Sequence, residues 1–184
     1  MAKKIQEEMI AVRLHGRGGQ GVKKAAQILA RAAYLAGYYT QDFALYGAER
    51  RGAPVTSFVR LSKKPINTRG YVWNPDFIIV LDDTLELSCH MQGRKKTTKE
   101  LINTEKDLKI KVDYCRVDAT GVAVQVLGKN IPNIALLGAF VKIFEPITLE
   151  HLAKAVEIEL GKRHPEAVKK NMQAAKICYE KVVC

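Results

Sequence analysis

The sequence contains no long apolar run. None of its uninterrupted apolar segments approaches the roughly 18 residues that a membrane-spanning helix needs, and the N-terminal MAKKIQEEMI lacks the apolar core of a secretory signal. We therefore expect a cytoplasmic protein with no membrane role. At 184 residues the chain has the length of one domain, and we treat residues 1–184 as a single domain.

Cysteine is also scarce. The four residues Cys89, Cys115, Cys178 and Cys184 match neither the spacing of a zinc site nor that of a ferredoxin-type cluster. The four histidines show no metal-ligand spacing either. The sequence thus predicts that this chain binds no metal and that any iron–sulfur chemistry belongs to a partner protein.

Acidic residues are too few to balance the basic ones. The chain has 30 Lys and Arg against 19 Asp and Glu, which gives a formal net charge of +11. An acidic protein surface, an anionic cofactor or a nucleic acid would each satisfy that charge. Much of the excess is spread over GRKKTTKE, GKRHPEAVKK and the termini. Because no aromatic and basic stacking surface accompanies it, we predict no nucleic-acid partner.

The N-terminal half alternates between strand and helix patterns. Residues 9–15, MIAVRLH, alternate apolar and polar side chains and predict a strand. From Val22 onward apolar residues recur every three or four positions, which predicts a helix that stops at Gly37. YYTQDFALYG and PVTSFVRLS predict two further strands, and PDFIIVLDD predicts a strand buried on both faces of a parallel sheet.

The C-terminal third is predicted to be helical. KELIN and IKVDYCRVDAT predict two more strands, followed by the apolar helices ATGVAVQVLG and NIALLGAFVKIF. Thr148 is the expected N-cap of the helix LEHLAKAVEIEL, and Pro165 is expected in the first turn of the last helix. The predicted fold class is α/β: a single three-layer, Rossmann-like domain with a mainly parallel or mixed sheet and a helical C-terminal third.

A glycine-rich loop joins the first predicted strand to the first predicted helix. Gly16, Gly18 and Gly21 give the spacing G-x-G-x-x-G, and Asp42 follows at the distance typical of a dinucleotide site. Glycines permit positive φ and close backbone approach, and the N–H groups at a helix start favour an anion. The candidate anion-binding residues are therefore Gly16, Arg17, Gly18, Gly19, Gln20 and Gly21.

The same glycines fit other hypotheses. They can serve only to make a tight turn, or they can let the backbone of a partner approach. Arg17 can pair with a phosphate or a carboxylate, and Gln20 can add an amide hydrogen bond. A P-loop is excluded because Val22 stands where its lysine belongs and no Ser or Thr follows.

A second unusual segment is YGAERRGAPV, residues 46–55. Here Glu49, Arg50 and Arg51 lie between glycines and a proline that restrict the shape of the loop. In a doubly wound sheet, loops at the carboxyl ends of strands line the ligand crevice, so we expect this loop to lie near the glycine loop. From residue types alone, a solvated turn with a local Glu–Arg pair is the alternative.

Together these segments resemble a known family. GRGGQG and GAERRGAPV, followed in order by PDFIIVLDDTL, LINT, VDAT and NIALLGAF, are similar to the gamma subunit of the 2-oxoacid:ferredoxin oxidoreductases, of which pyruvate synthase is the best-known member. The matching segments extend over most of the chain. The two glycine-containing signatures are far more specific together than G-x-G-x-x-G is alone.

The resemblance implies a function in a complex. Enzymes of this family decarboxylate a 2-oxoacid such as pyruvate on thiamine diphosphate, pass electrons through 4Fe–4S clusters to ferredoxin, and release an acyl-coenzyme A. The gamma subunit binds neither thiamine nor clusters; it assembles with alpha, beta and delta subunits and is associated with coenzyme A. The resemblance thus implies that Gly16–Gly21 and Glu49–Arg51 contact coenzyme A phosphates or a neighbouring subunit. It also implies that this chain has no catalytic residue and is not active alone.

The alternative function is a free-standing NAD(P)-binding oxidoreductase that uses the glycine spacing with Asp42. That alternative leaves the Glu49–Pro54 segment unexplained, and no substrate domain remains once the fold is built. Outside the two loops, we expect a structural role for His15. Of Asp82 and Asp83, we expect one carboxylate to cap the next helix and the other to be solvated.

Overall fold

Six strands and six helices make up the regular structure of the described part of the chain. The structure is a computed structural model that describes residues 9–45, 52–161 and 164–184. The strands are β1 (Ile10–Arg17), β2 (Tyr39–Ala44), β3 (Pro54–Ser62), β4 (Phe77–Val80), β5 (Lys99–Asn103) and β6 (Cys115–Val117). The helices are α1 (Val22–Leu35), α2 (Leu87–Met91), α3 (Ala119–Leu127), α4 (Asn133–Ile143), α5 (Leu149–Leu160) and α6 (Pro165–Lys181). Every strand and helix that the sequence predicts is present, and the short α2 is an addition.

The strands form one mixed sheet in the order β2-β3-β1-β4-β5-β6. The pairs β1–β4, β4–β5 and β5–β6 are parallel, whereas β3 runs antiparallel to both β1 and β2. In the centre of the sheet, Val12 of β1 lies opposite Phe77 of β4. The predicted mainly parallel sheet is confirmed, and β3 is the strand that makes it mixed.

One face of the sheet carries the main apolar core. Alternate residues of the central strands, such as Val12, Leu14 and Ile79, lie in a core shared with α1, α4, α5 and α6. Small side chains let α1 lie close to the sheet, as its pattern predicts. Its almost fully buried alanines are Ala25, Ala26, Ala32 and Ala33.

The opposite face of the sheet carries polar side chains. Arg13 and His15 of β1, Arg60 of β3 and Glu100 of β5 occupy the alternate positions there, and none of them is more than 5% exposed. The short helix α2 and the irregular segments 63–76 and 104–114 cover this face. The sheet is therefore the middle of three layers, of which one outer layer is helical and the other is mostly irregular.

The helix starts and the C-terminus are fixed by local contacts. The Thr148 hydroxyl accepts a hydrogen bond from the amide of His151 as the predicted N-cap of α5, and Pro165 lies in the first turn of α6. A disulfide between Cys115 and Cys184 ties the C-terminus to β6. The spacing of the cysteines did not predict that pairing.

Four parallel strands end at the same edge of the sheet. β1 ends at Arg17, β4 leads into Asp82, β5 ends at Asn103 and β6 leads into Asp118. Because the carboxyl ends of parallel strands face the same side, the loops that follow them meet there. This carboxyl edge is where the glycine loop lies.

Candidate functional site

The glycine loop, Gly16–Gly21, connects β1 directly to α1. Gly19 and Gly21 have φ angles of 98° and 77°, in the left-handed region that glycine enters without steric cost. The amide of Gln20 donates to the carbonyl of Arg17 at 3.1 Å, and Gly21 is the N-cap of α1. The loop is a tight turn that leads the chain into the helix.

Close packing within this chain requires two of the glycines. A Cβ at Gly16 would lie 2.6 Å from Cγ2 of Val22 and 3.1 Å from Cβ of Leu81. A Cβ at Gly21 would collide with the side-chain amide of Asn133, whose Nδ2 lies 3.4 Å from the Gly21 carbonyl oxygen. Part of the glycine content therefore serves the fold itself.

The glycine loop is hydrogen-bonded to the segment that precedes β3. The Gly18 amide donates to the Ala53 carbonyl at 2.8 Å, and the Gly52 amide donates to the Gly18 carbonyl at 3.0 Å. These bonds continue the β1–β3 ladder, in which Arg17 lies opposite Pro54. The expected proximity of the two loops is thus confirmed at Gly52 and Ala53.

The charged residues of the second loop, Glu49, Arg50 and Arg51, lie outside the described residues. The described residues that flank them are Leu45 and Gly52, and the amide of Leu45 donates to the Thr56 carbonyl at 2.9 Å. The contribution of the three charged side chains to a site stays a prediction.

The Arg17 side chain connects three loops at the carboxyl edge. Its Nη1 donates to the carbonyl of Gly52 and its Nη2 to the carbonyl of Thr84, both at 3.1 Å. Its Nε lies 3.5 Å from Oδ2 of Asp82, and the side chain is 33% exposed. Arg17 therefore presents a positive charge at this edge from a fixed position.

Asp82 is the main acceptor of this network. Its carboxylate accepts from the amide and the hydroxyl of Thr84 at 3.0 and 2.5 Å, and from Nε2 of Gln20 at 2.6 Å. Gln20 also accepts, through Oε1, from the amide of Arg17 at 2.7 Å. Burial raises the pKa of Asp82, but the bonds from Thr84 and Gln20 and the charge of Arg17 outweigh it, so this pKa lies below its ordinary value.

The expectation for the Asp82–Asp83 pair is wrong. Helix α2 follows Glu86, which makes no side-chain capping bond, and Asp82 instead caps the turn at Thr84. Asp83 is not only solvated, because it accepts a hydrogen bond from the Thr104 hydroxyl at 2.8 Å. Aspartate readily bonds the backbone amide two residues onward, and that local turn takes the place of a helix cap here.

Two asparagines at this edge were not predicted from the sequence. Nδ2 of Asn103 donates to the Leu81 carbonyl and to the Thr120 hydroxyl, both at 2.8 Å, and joins the loops after β4 and β6. Asn133, at the start of α4, lies against Gly21. In the sequence, the signal for Asn103 is that a polar residue follows Leu101 and Ile102 at the end of the strand KELIN.

The arrangement is suited to holding an anion. Arg17 supplies a guanidinium, whose charge Asp82 partly offsets, and the N-terminus of α1 adds a partial positive charge. The amides of Arg17, Gly18 and Gln20 are already hydrogen-bonded within the chain, so an anion would meet the guanidinium first. Within residues 9–45, 52–161 and 164–184, no group of three His, Cys, Asp or Glu is placed to hold a metal ion. None of the helices in those ranges has both the length and the apolar character that crossing a bilayer requires.

Asp42 does not occupy the acidic position of a dinucleotide site. In the dinucleotide-binding fold, the strand that carries the acidic residue lies beside the first strand. Here the antiparallel β3 separates β2 from β1. Burial raises the pKa of Asp42, the charge of Glu159 raises it further, and Arg31 partly opposes them. The alternative of an NAD(P)-binding enzyme is therefore not favoured.

Comparison with known protein families and sequences identifies relatives across nearly the whole chain. The family model described as pyruvate ferredoxin/flavodoxin oxidoreductase matches residues 11–181. Pyruvate synthase subunit PorC of Thermotoga maritima is 39% identical, covering 98% of this chain and 98% of that protein. The pyruvate/ketoisovalerate oxidoreductases common subunit gamma of Thermococcus litoralis is 39% identical, covering 95% of this chain and 98% of that protein.

Solved structures share the fold. The crystal structure of pyruvate oxidoreductase subunit PORC from Thermotoga maritima matches with a TM-score of 0.84 at 36% identity, over 96% of this chain and 98% of that one. The 2-oxoglutarate:ferredoxin oxidoreductase of Magnetococcus marinus, solved with 2-oxoglutarate, coenzyme A and succinyl-CoA bound, matches with a TM-score of 0.73 at 19% identity. That match covers 95% of this chain and 32% of the neighbour, and it supports the fold alone.

Proposed function

The chain belongs to the pyruvate ferredoxin/flavodoxin oxidoreductase family as a subunit of the gamma type, and on this basis we propose that it serves the oxidative decarboxylation of pyruvate or a related 2-oxoacid. The products are an acyl-coenzyme A and reduced ferredoxin. The substrate class follows the names of the relatives, which are pyruvate synthase and pyruvate/ketoisovalerate oxidoreductase subunits.

In this proposal, the chemical steps of the reaction take place in the partner subunits. The alpha, beta and delta subunits hold thiamine diphosphate and the 4Fe–4S clusters, and ferredoxin is reached through them. The cysteines of this chain support that assignment by their placement. Cys115 and Cys184 are bonded to each other, Cys178 is buried in α6, and Cys89 lies on α2.

We assign to this chain the positioning of coenzyme A at the carboxyl edge. The observation that carries the assignment is Arg17, which is held between the glycine loop and Gly52 and has a partly exposed side chain. Coenzyme A carries a pyrophosphate and a 3′-phosphate, and the positive charge of a guanidinium attracts such groups. The proposed contacts are Gly16, Arg17, Gly18, Gly19, Gln20, Gly21, Glu49, Arg50 and Arg51. The Magnetococcus marinus enzyme with the same fold was solved with coenzyme A bound.

The test uses the purified complex with Arg17→Ala, Arg50→Ala and Arg51→Ala, and with Arg69→Ala as the matched control. Arg69 is an exposed arginine in the irregular segment 63–76, which covers the polar face of the sheet and not its carboxyl edge. Because a lost hydrogen bond to a charged group is worth about 1.5–3 kcal/mol, the apparent KM for coenzyme A should rise about tenfold or more in the loop variants. Decarboxylation of the 2-oxoacid should persist, and Arg69→Ala should match the wild type.

Two outcomes would reject parts of the proposal. An unchanged KM for coenzyme A together with lost assembly would assign Arg50 and Arg51 to a subunit interface. Recovery of this chain from its native source as an active NAD(P)-reducing enzyme without partners would reject the function in a complex.

A further inference from the structure

A cavity of about 250 Å³ lies on the polar face of the sheet, away from the helical layer. Arg13 and His15 of β1 form its floor, and Phe58, Tyr71 and Trp73 stand around it, with Cys89 of α2 also in its lining. This volume is large enough for a small organic molecule. None of these residues belongs to the proposed coenzyme A site.

His15 leaves one ring nitrogen unused in this cavity. The residue is 4% exposed, and its Nδ1 lies 3.3 Å from the hydroxyl of Thr56. Its Nε2 is buried and has no hydrogen-bond partner among the described residues. Buried polar atoms are almost always paired, so this nitrogen is available to a water or a ligand in the cavity. In the tautomer whose Nδ1 accepts from the Thr56 hydroxyl, Nε2 carries the ring proton and is a donor.

Burial keeps that imidazole neutral. Burial first, and then the nearby charges of Arg13 and His90, together lower the pKa of His15 to about 3. At neutral pH the ring therefore offers a directional hydrogen bond without a charge. The positive charge that attracts an anionic ligand therefore has to come from a neighbouring side chain.

Arg13 supplies that charge beneath the cavity. Its Nη2 donates to the carbonyls of His90 and Gln92 at 2.8 and 2.6 Å, which fixes the guanidinium, while Nε has no partner among the described residues. The neighbouring carboxylate, Glu100, also faces Arg94, whose Nε lies 3.7 Å from it. Glu100 is hydrogen-bonded to Nδ1 of His90 at 2.7 Å. Two arginines thus lie near one carboxylate, and the buried cluster is complementary to one additional negative charge.

Aromatic side chains form the walls. The ring centroids of Phe58 and Tyr71 lie 5.7 Å apart, and those of Tyr71 and Trp73 lie 6.2 Å apart with the rings edge to face. Tyr71 and Trp73 are 50% and 62% exposed, which puts them at the mouth. Aromatic walls of this kind pack against the flat apolar part of a ligand, and a few polar groups orient that ligand.

We propose that this cavity binds a small carboxylate with an aromatic or other flat apolar body. In the complex, Nε2 of His15 donates to a carboxylate oxygen, Arg13 balances its charge, and the rings of Phe58, Tyr71 and Trp73 enclose the body. Every group that the site uses belongs to the described residues of this chain, and none of them is a proposed contact of coenzyme A.

The full chain carries its own reporter for this site, because Trp73 is the one tryptophan in the sequence. Phenylacetate is the probe, 2-phenylacetamide is its neutral analogue, and acetate is the ion without a flat body. We expect a saturable change of Trp73 fluorescence with phenylacetate in the micromolar to millimolar range. The amide should bind about tenfold more weakly, since it lacks the charge that Arg13 complements.

Two substitutions of His15 separate its ligand contact from its structural contact. The side-chain amide of His15→Asn reaches the position of Nδ1 beside Thr56, whereas that of His15→Gln reaches the position of Nε2. Binding should be lost in His15→Asn and retained within about threefold in His15→Gln, since a hydrogen bond to a charged group is worth 1.5–3 kcal/mol. Thermal unfolding of both variants checks that they fold.

Alkylation of Cys89 gives a second readout. This thiol is exposed and lines the cavity, so phenylacetate should slow its reaction with iodoacetamide and acetate should not. The proposal is overturned if none of the probes gives a saturable response, or if phenylacetate and 2-phenylacetamide bind equally. Wild-type binding by a folded His15→Asn variant would overturn it as well.

Discussion

The amide of Gly18 and the carbonyl of Ala53 are joined by a hydrogen bond of 2.8 Å. The carbonyl of Gly18 in turn accepts from Gly52, so two segments that are far apart in the sequence form one backbone unit at the carboxyl edge. Arg17 adds a side-chain bond to the same segment. A ligand or subunit that contacts Gly18 therefore also lies near Gly52 and Ala53, and substitutions in either segment should affect the same site.

Gly21→Ala should destabilise the chain more than Gly128→Ala does. Both glycines have positive φ, 77° and 67°, so both substitutions carry left-handed strain of about 1–2 kcal/mol. A Cβ at Gly128 meets open space, whereas one at Gly21 collides with Asn133. That overlap should cost about 1–3 kcal/mol more, measured as the free energy of unfolding in urea.

The control for Gly21→Ala is the double variant with Asn133→Ala. If the collision is the cause, removal of the Asn133 amide should recover most of the additional loss at position 21. Equal destabilisation by Gly21→Ala and Gly128→Ala would show that the contact with Asn133 has no energetic weight.

Asp82→Asn should lower the free energy of unfolding at pH 7 by about 2 kcal/mol, because the carboxylate accepts charge-assisted bonds from Thr84 and Gln20. The folded pKa of Asp82 lies below its ordinary value of 3.8. Its contribution is therefore present above that value and is lost as the pH falls below it. At such low pH, the free energies of unfolding of the wild type and of Asp82→Asn, both measured in urea, should converge.

Asp107→Asn is the matched control for Asp82. Asp107 is exposed and accepts a hydrogen bond from the Tyr114 hydroxyl, so its loss should change stability by less than about 0.5 kcal/mol. A difference between Asp82→Asn and wild type that stays constant down to low pH would contradict an ionised, paired Asp82.

Most strands and helices could be predicted because their signals are local. The alternation in MIAVRLH indicates β1, and Thr148 and Pro165 mark two helix starts. The place of β3 between β1 and β2 has no such signal, because strand order depends on contacts between distant segments. That order decides against a dinucleotide site, since it separates Asp42 from the glycine loop.

The candidate site could be predicted only where composition is unusual. The glycine loop stands out in the sequence, whereas Asn133 becomes part of the site only through its contact with Gly21. Arg13 and His15 occupy the polar positions of β1, which alternation assigns to solvent. The irregular segment that covers them has no periodic pattern, so their burial could not be anticipated.

Cys89 should be the one thiol that reacts in the native chain. Cys178 is fully buried, and burial together with the charge of Asp118 raises its pKa to about 12, which keeps it protonated and unreactive. Cys115 and Cys184 are bonded to each other. Titration with Ellman's reagent should therefore count one thiol in native protein, two in denaturant and four after reduction.

The Cys89→Ser variant is the control for that assignment, and its native count should fall to zero. Four reactive thiols in denaturant without a reductant would show that the bond between Cys115 and Cys184 is not formed. Native reactivity of two thiols would show that the α6 packing around Cys178 opens.

His15 should make the chain less stable in mild acid. The unfolded chain binds a proton at the ordinary pKa of 6.5, whereas the folded chain resists protonation down to about 3. Because the unfolded state then holds more protons, the free energy of unfolding rises with pH between these values, by about 1.4 kcal/mol per unit for one group. Between pH 6 and about 4, the free energy of unfolding measured in urea should rise with pH less steeply in His15→Asn than in wild type, by that amount. The comparison isolates His15 because the carboxylates are the same in both proteins. An NMR titration that finds the ring of His15 protonating near its ordinary pKa in folded protein would contradict the burial from which this prediction is drawn.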